Sequence, residues 1–242
     1  MNILTFDSDD KLNEAAANII IGQIQTTPRA VLGLATGGTP VGIYKEIVRE
    51  FQRDMFSFRR VTTFNLDEYV GLPVDHSQSY HTYMRKHLFD HIDIPSSQCH
   101  IPDGHAPDLH EECRRYDALI ENAGQIDLQL LGLGHNGHIG FNEPAHALIR
   151  GTHVVDLAEA TREANARYFD AIDEVPRQAL TIGVGTILKA KKILLAVKGE
   201  DKAEIVERAL KGPITTDCPA SLLQTHPNLI VLLDSAAARR MK

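Results

Sequence analysis

The chain has 242 residues, a formal net charge of -7 and a hydrophobic fraction of 43%, which fits one α/β domain and argues against a broad nucleic-acid-binding face, though not against a small anion held by a few local cations and backbone N–H groups. No apolar run approaches the ~18 residues of a membrane helix, and the first ten residues lack the basic start and apolar core of a signal peptide. Three scattered cysteines, Cys99, Cys113 and Cys218, with no Cys-x-x-Cys pair, suit reduced thiols in a cytoplasmic protein without structural zinc.

Residues 3–6 read as a first strand. Asp7 or Ser8 is placed to cap a helix over about 10–25, where Leu12, Ala15, Ala16, Ile19, Ile20 and Ile24 share one stripe. Residues 31–35 form a buried-type strand that runs into Thr36-Gly37-Gly38-Thr39-Pro40, with a helix predicted over 41–52. Proline suits a helix's first turn, and paired glycines let the backbone approach a ligand. With the hydroxyls of Thr36 and Thr39 the segment reads as a phosphate cradle at a helix N-terminus, or as an ordinary tight turn. No Gly-Lys-Ser/Thr follows, so it is not a Walker loop.

The next strand, 61–66, ends in Asp67-Glu68-Tyr69. A loop over 70–78, a helix over 79–91, a short strand at 99–102 and a helix over 109–122, capped by Asp108 and ended by Gly124, come next. The apolar strand 127–133 then delivers a dense polar loop, His135-Asn136-Gly137-His138-Ile139-Gly140-Phe141-Asn142-Glu143. His138 and Glu143 are acid/base candidates; locally, a polar turn after a buried strand explains them as well. A strand at 154–157, a helix over 161–169 carrying Arg162 and Arg167, and a mixed stretch over 179–189 follow. After these come a strand at 192–197, a helix from 200 or 201 to 210, a short helix at 219–223, a strand at 229–233 and a terminal helix over 235–240.

This alternation predicts a single-domain α/β fold spanning 1–242: an open, mainly parallel, Rossmann-like sheet with helices on both faces. Strand ends then share one edge, which brings together an anion cradle and two groups of acid/base residues. That combination suits proton transfer on a phosphorylated small molecule. His135 and His138 sit in a glycine loop that fixes no ligand geometry, so neither a metal nor a cofactor is expected.

Ala35-Thr36-Gly37-Gly38-Thr39-Pro40, Asn65-Leu66-Asp67-Glu68-Tyr69 and Gly137-His138-Ile139-Gly140-Phe141-Asn142-Glu143-Pro144 resemble the signature segments of the glucosamine-6-phosphate deaminase family. The resemblance extends to Ala164-Asn165-Ala166-Arg167 and Gly199-Glu200-Asp201-Lys202-Ala203 and covers essentially the whole chain. It implies a sugar-phosphate-isomerase type of fold and an aldose–ketose isomerisation with hydrolytic loss of the amine, from D-glucosamine 6-phosphate to D-fructose 6-phosphate and ammonia. By the same resemblance Asp67 moves the proton between C2 and C1, and His138 is the ring-opening base, assisted by Glu143. Thr36, Gly37, Gly38, Thr39, Arg167 and Lys202 hold the phosphate, and about 146–177 forms a lid. The chemistry agrees with the residue types: a carbon acid needs one positioned base, and a histidine titrates near neutrality.

Two departures stand out. Some family members carry aspartate where this chain has Asn136; Asn136 is expected to orient His138, leaving Glu143 its only carboxylate partner. The larger allosteric hexamers of the family have a longer C-terminal tail, so a monomer or small homo-oligomer without activation by N-acetylglucosamine 6-phosphate is expected. The expected partner is a small-molecule substrate, not nucleic acid or membrane. The alternative readings are a 6-phosphogluconolactonase-type hydrolase and a non-catalytic sugar-phosphate sensor. Measured as ammonia release from glucosamine 6-phosphate, Asn136→Asp should retain activity with a shifted pH optimum, whereas His138→Gln and Asp67→Asn should lose most of it.

Overall fold

Buried apolar runs set the centre of the molecule. In the computed structural model, which describes residues 1–169 and 171–241 and only the backbone of Ala160 and Ala164, the elements in chain order are β1 (Asn2–Phe6), α1 (Asp9–Thr26), β2 (Val31–Leu34), α2 (Gly38–Phe51), β3 (Thr62–Asn65), β4 (Asp67–Tyr69), α3 (Tyr80–His87), β5 (Cys99–His100), α4 (Leu109–Asn122), β6 (Leu128–Leu131), β7 (His153–Asp156), α5 (Glu159–Ala166), β8 (Gln178–Thr181), α6 (Val184–Leu188), β9 (Ile193–Val197), α7 (Ala203–Lys211) and β10 (Leu229–Asp234). Asp170, inside the lid expected at 146–177, and Lys242, the end of the domain expected over 1–242, lie outside the described residues.

Seven strands pair in the order β1-β10-β9-β6-β2-β3-β5, and every pairing is parallel. All residues of β2, β6 and β9 are buried, as expected of strands covered on both faces. From β2 the chain builds outward through β3 to β5, then returns to place β6 on the other side of β2. That reversal makes the β2/β6 crevice the topological switch point, where open α/β sheets bind ligands.

Helix boundaries follow their caps. Ser8 accepts from the Lys11 N–H and Asp108 from those of His110 and Glu111, satisfying first-turn donors that have no partner within the helix. No helix among the described residues is long and apolar enough to cross a membrane.

The structure corrects the single-sheet expectation in one respect. β4, β8 and β7 form a separate three-stranded antiparallel sheet, so Asp67 opens a new strand instead of ending the old one. Leu66 makes the transfer. Its N–H donates to Leu34 O in the main sheet, and its carbonyl accepts from Ile182 N beside the small one.

Side chains alternate along β4. Glu68 turns toward α3 and accepts from the backbone N–H groups of Tyr69, Tyr80 and His81. Ser79 Oγ accepts from Thr82 N on the same helix turn. Glu68 thereby anchors α3 and fixes the face that Asp67 presents. Glu68→Ala strands three donors and should cost about 1–3 kcal/mol in urea unfolding; an unchanged unfolding free energy would show that the anchor is idle.

Candidate active site

Four adjacent strands of the main sheet, β9, β6, β2 and β3, lead to the candidate residues at one edge, except Arg167, which caps the end of α5. After β6 the chain turns through Gly134 to Glu143. A Cβ on Gly134 would overlap the His138 ring, so glycine is required there by close packing. Gly134 N also donates to His138 O, closing the loop under the imidazole.

Within the loop, Nδ1 of His138 lies 3.3 Å from Glu143 Oε2. The contact is close enough for an ion pair, but among the described residues no aligned hydrogen bond forms at Nδ1. Asn136 bridges the two differently from the expectation. Its Nδ2 donates to Glu143 Oε2 at 2.5 Å and its Oδ1 accepts from the backbone N–H of His138 at 3.1 Å. Asn136 therefore orients Glu143 and the loop backbone, not the imidazole ring. Glu143 Oε1 accepts from the Thr161 hydroxyl of α5. Burial disfavours its charge, but the contacts with His138, Thr161 and Asn136 prevail and hold the carboxyl at about 2.

Asp67 has the opposite environment. Its side chain is 5% exposed, and among the described residues no group donates to its carboxylate. Burial, aided by the neighbouring Glu68 charge, pushes its carboxyl up to about 8. The carboxylate faces the β6 loop: a Cβ built on Gly140 would lie 3.6 Å from Asp67 Oδ2 and 2.9 Å from Thr181 Oγ1. Burial also lifts Glu68 to about 7, against the pull of its backbone donors.

At the third station Gly37 precedes α2 with φ 98° and no side-chain cap. That is a left-handed conformation suited to glycine, and it leaves first-turn N–H groups free for an anion. Tyr83 donates to Gly37 O and Tyr44 to Ala35 O, fixing the turn that carries Thr36, Gly38 and Thr39. A Cβ on Gly38 would meet the Tyr168 hydroxyl at 3.7 Å. Arg167 lies over the Tyr168 ring, 4.9 Å from its centroid.

Lys202 Nζ donates to Leu133 O at 2.9 Å. Burial brings Lys202 down to about 8; the Asp201 charge works against this and the Arg167 charge adds to it. Two cations thus converge, a disposition that favours a dianion. Arg162, by contrast, is structural: it pairs with Glu159 and donates to the carbonyls of Ile172 and Val175.

The expected residues thus fall into three linked groups: Asp67 against the β6 loop; Asn136, His138 and Glu143 within it; and Arg167 with Lys202, beside Tyr168 and Gly38. Sequence reasoning missed Thr161, Asn165 and Tyr168. Asn165 Nδ2 donates to the Tyr69 hydroxyl at 3.0 Å. Only the resemblance at 164–167 marked any of this segment. A separate cavity of about 530 Å³, lined by Asp117, Arg150 and Lys189 among others, contains none of these groups.

The pKa of Asp67 is raised on folding, so the folded state retains a proton that the unfolded chain releases above its ordinary value of 3.8. Stability is therefore lost as pH rises from there toward about 8. Asp67→Asn should melt above the wild type, by a margin that widens between about pH 4 and about pH 8 in thermal scans. A constant margin would place the proton elsewhere.

Comparison with known proteins gives this geometry its context. Residues 7–231 match the family described as glucosamine-6-phosphate isomerases/6-phosphogluconolactonase. The chain is 51% identical to a glucosamine-6-phosphate deaminase of Clostridium perfringens over 242 residues, the whole of both chains. It is 53% identical to one of Bacillus velezensis over 238 residues, covering 98% of this chain and 99% of that one. Among solved structures, one described as a monomeric glucosamine-6-phosphate deaminase superposes with a TM-score of 0.96 at 50% identity, covering 99% of this chain and 100% of that one. A 6-phosphogluconolactonase from Trypanosoma brucei shares the fold, with a TM-score of 0.80 at 19% identity, covering 100% of this chain and 98% of that one. The chain belongs to the family of glucosamine-6-phosphate isomerases and 6-phosphogluconolactonases.

Proposed function

We propose that the protein is a glucosamine-6-phosphate deaminase, converting D-glucosamine 6-phosphate and water to D-fructose 6-phosphate and ammonia. The observation that carries this choice within the family is Asp67: a buried carboxyl with no donor among the described residues, facing the His138 loop, with its pKa near neutrality at about 8. One group must take a proton from C2 and return it to C1, and a pKa near the working pH serves both halves of that transfer. Lactone hydrolysis needs no carbon base. The deaminase relatives are also half identical over the whole chain, whereas the trypanosomal lactonase, at 19%, shares the fold alone.

In this reading His138 takes the proton of the anomeric hydroxyl and passes one to the ring oxygen, which opens the sugar. Glu143, held at about 2, stays charged throughout and stabilises the imidazolium. Asp67 then abstracts the C2 proton, giving an enolamine, and protonation at C1 leaves an imine that water hydrolyses to the ketone and ammonia. The Thr36–Thr39 turn, Arg167 and Lys202 bind the phosphate, Arg167 with a planar fork and Lys202 with a point charge.

The lid reading narrows to the residues around α5. β7 lies within 146–177 but is paired with β8 residue for residue, and β8 in turn with β4. Closing α5 over the sugar would shield the enolamine from water. We take the protein to be cytoplasmic, where a phosphorylated sugar is retained, and to be a monomer or small homo-oligomer; the solved relative is described as monomeric.

The test is to incubate the purified protein with glucosamine 6-phosphate, without added metal or cofactor, and to measure ammonia and fructose 6-phosphate. Equimolar release of both is expected. Hydrolysis of 6-phosphogluconolactone without ammonia release would establish the lactonase instead, and binding of the sugar phosphate without turnover would establish a sensor.

A further inference from the structure

Helix α5 has eight residues and no side-chain cap at Ala158, so its position depends on tertiary contacts more than on its own helicity. Among the described residues, two side-chain hydrogen bonds tie it to the protein outside 157–177. Thr161 Oγ1 donates to Glu143 Oε1 at 2.5 Å, and Asn165 Nδ2 donates to the Tyr69 hydroxyl at 3.0 Å. Thr161 and Asn165 are four positions apart and share one face of the helix. Glu143 is the carboxylate beside His138, and Tyr69 stands two residues from Asp67 on β4. Arg167 follows directly as the C-terminal cap of the helix, close enough to Lys202 for their charges to interact.

We propose that Thr161 and Asn165 are positioning residues that make α5 a rigid link between the phosphate site and the two acid/base stations. The Thr161 bond is the working contact and the Asn165 bond its register pin. This rests on the reading of Glu143 as the partner of the ring-opening base. Glu143 has two oxygens to orient. Asn136 holds Oε2 from within the loop, and Thr161, 6% exposed, holds Oε1 from the helix that bears Arg167. A dianion drawn onto Arg167 and Lys202 fixes the end of α5, and α5 fixes the carboxylate. Binding energy from the phosphate, remote from the reacting carbons, is thereby used to set the geometry of the reacting end.

The test compares the full-length wild type with Thr161→Val, which keeps shape and loses the donor, and Thr161→Ser, which keeps the donor. Thr161→Val should lower kcat for ammonia release about tenfold or more, the scale of a lost hydrogen bond to a charged group, with KM within about twofold; Thr161→Ser should recover most of kcat. A merely structural role would depress the melting temperature and affect both variants alike. Equal kcat in wild type and Thr161→Val, or equal losses in Val and Ser, would overturn the proposal.

A second measurement needs no turnover. With inorganic phosphate as the probe, amide exchange should slow in both α5 and the 136–143 loop of the wild type, and in α5 alone in Thr161→Val. A loop that responds equally in both proteins would overturn the link. A wild type that shows the coupling but releases no ammonia would leave the link standing and defeat the deaminase reading.

Discussion

The position of Asp67 depends on the backbone of Leu66. Its N–H is bonded into the parallel sheet and its carbonyl into the edge of the antiparallel one, so the next residue can neither continue β3 nor drift into a loop. Asp67 is held between two sheets, where burial is nearly complete and no donor among the described residues reaches it. The adjacent Glu68 is turned to the other side and satisfied by three backbone N–H groups. A pair of consecutive acids is thereby divided by strand alternation into one that faces the β6 loop and one that anchors α3.

A second division follows, between Asp67 and Glu143. Both are carboxyls in partly or wholly buried surroundings, yet one stands at about 8 and the other at about 2. Desolvation acts on both; only Glu143 has His138, Thr161 and Asn136 to offset it. Environments that push paired titratable groups apart separate their roles. A group near neutrality can give and take a proton, and a group that stays charged can only orient and stabilise. The proposed assignment of Asp67 to the carbon and Glu143 to the imidazole follows that difference.

What the sequence revealed tracks how local the determining forces are. The apolar runs of β2, β6 and β9 and the capped starts of α1 and α4 were legible, because burial on both faces and side-chain caps leave a mark within a few residues. β4 was not. Asp-Glu-Tyr has little strand character of its own, and its pairing partner is the distant 179–181 stretch. The same holds in the site. His138 and Glu143 were visible as a polar cluster after an apolar strand, and the bond between Asn136 and Glu143 spans only 7 positions. The bond from Asn165 to Tyr69 spans 96, and no periodicity carries such information. Arg167 and Lys202 were singled out by the resemblance alone, because the interaction of their charges is a product of the fold.

The fold alone leaves the chemistry open. A TM-score of 0.80 with a lactonase at 19% identity shows that the fold can be shared where the sequences have diverged this far, and function resides in sites placed on folds. Both reactions would bind a sugar phosphate, so the phosphate-binding groups proposed above are compatible with either. The distinguishing requirement is a base for carbon, which must be buried enough to keep its pKa near the working pH and free enough of donors to act. In the proposed assignment Asp67 meets both conditions through one feature, a buried environment that destabilises its charge. Such a residue weakens the fold that holds it, and its presence is better explained by chemistry than by stability.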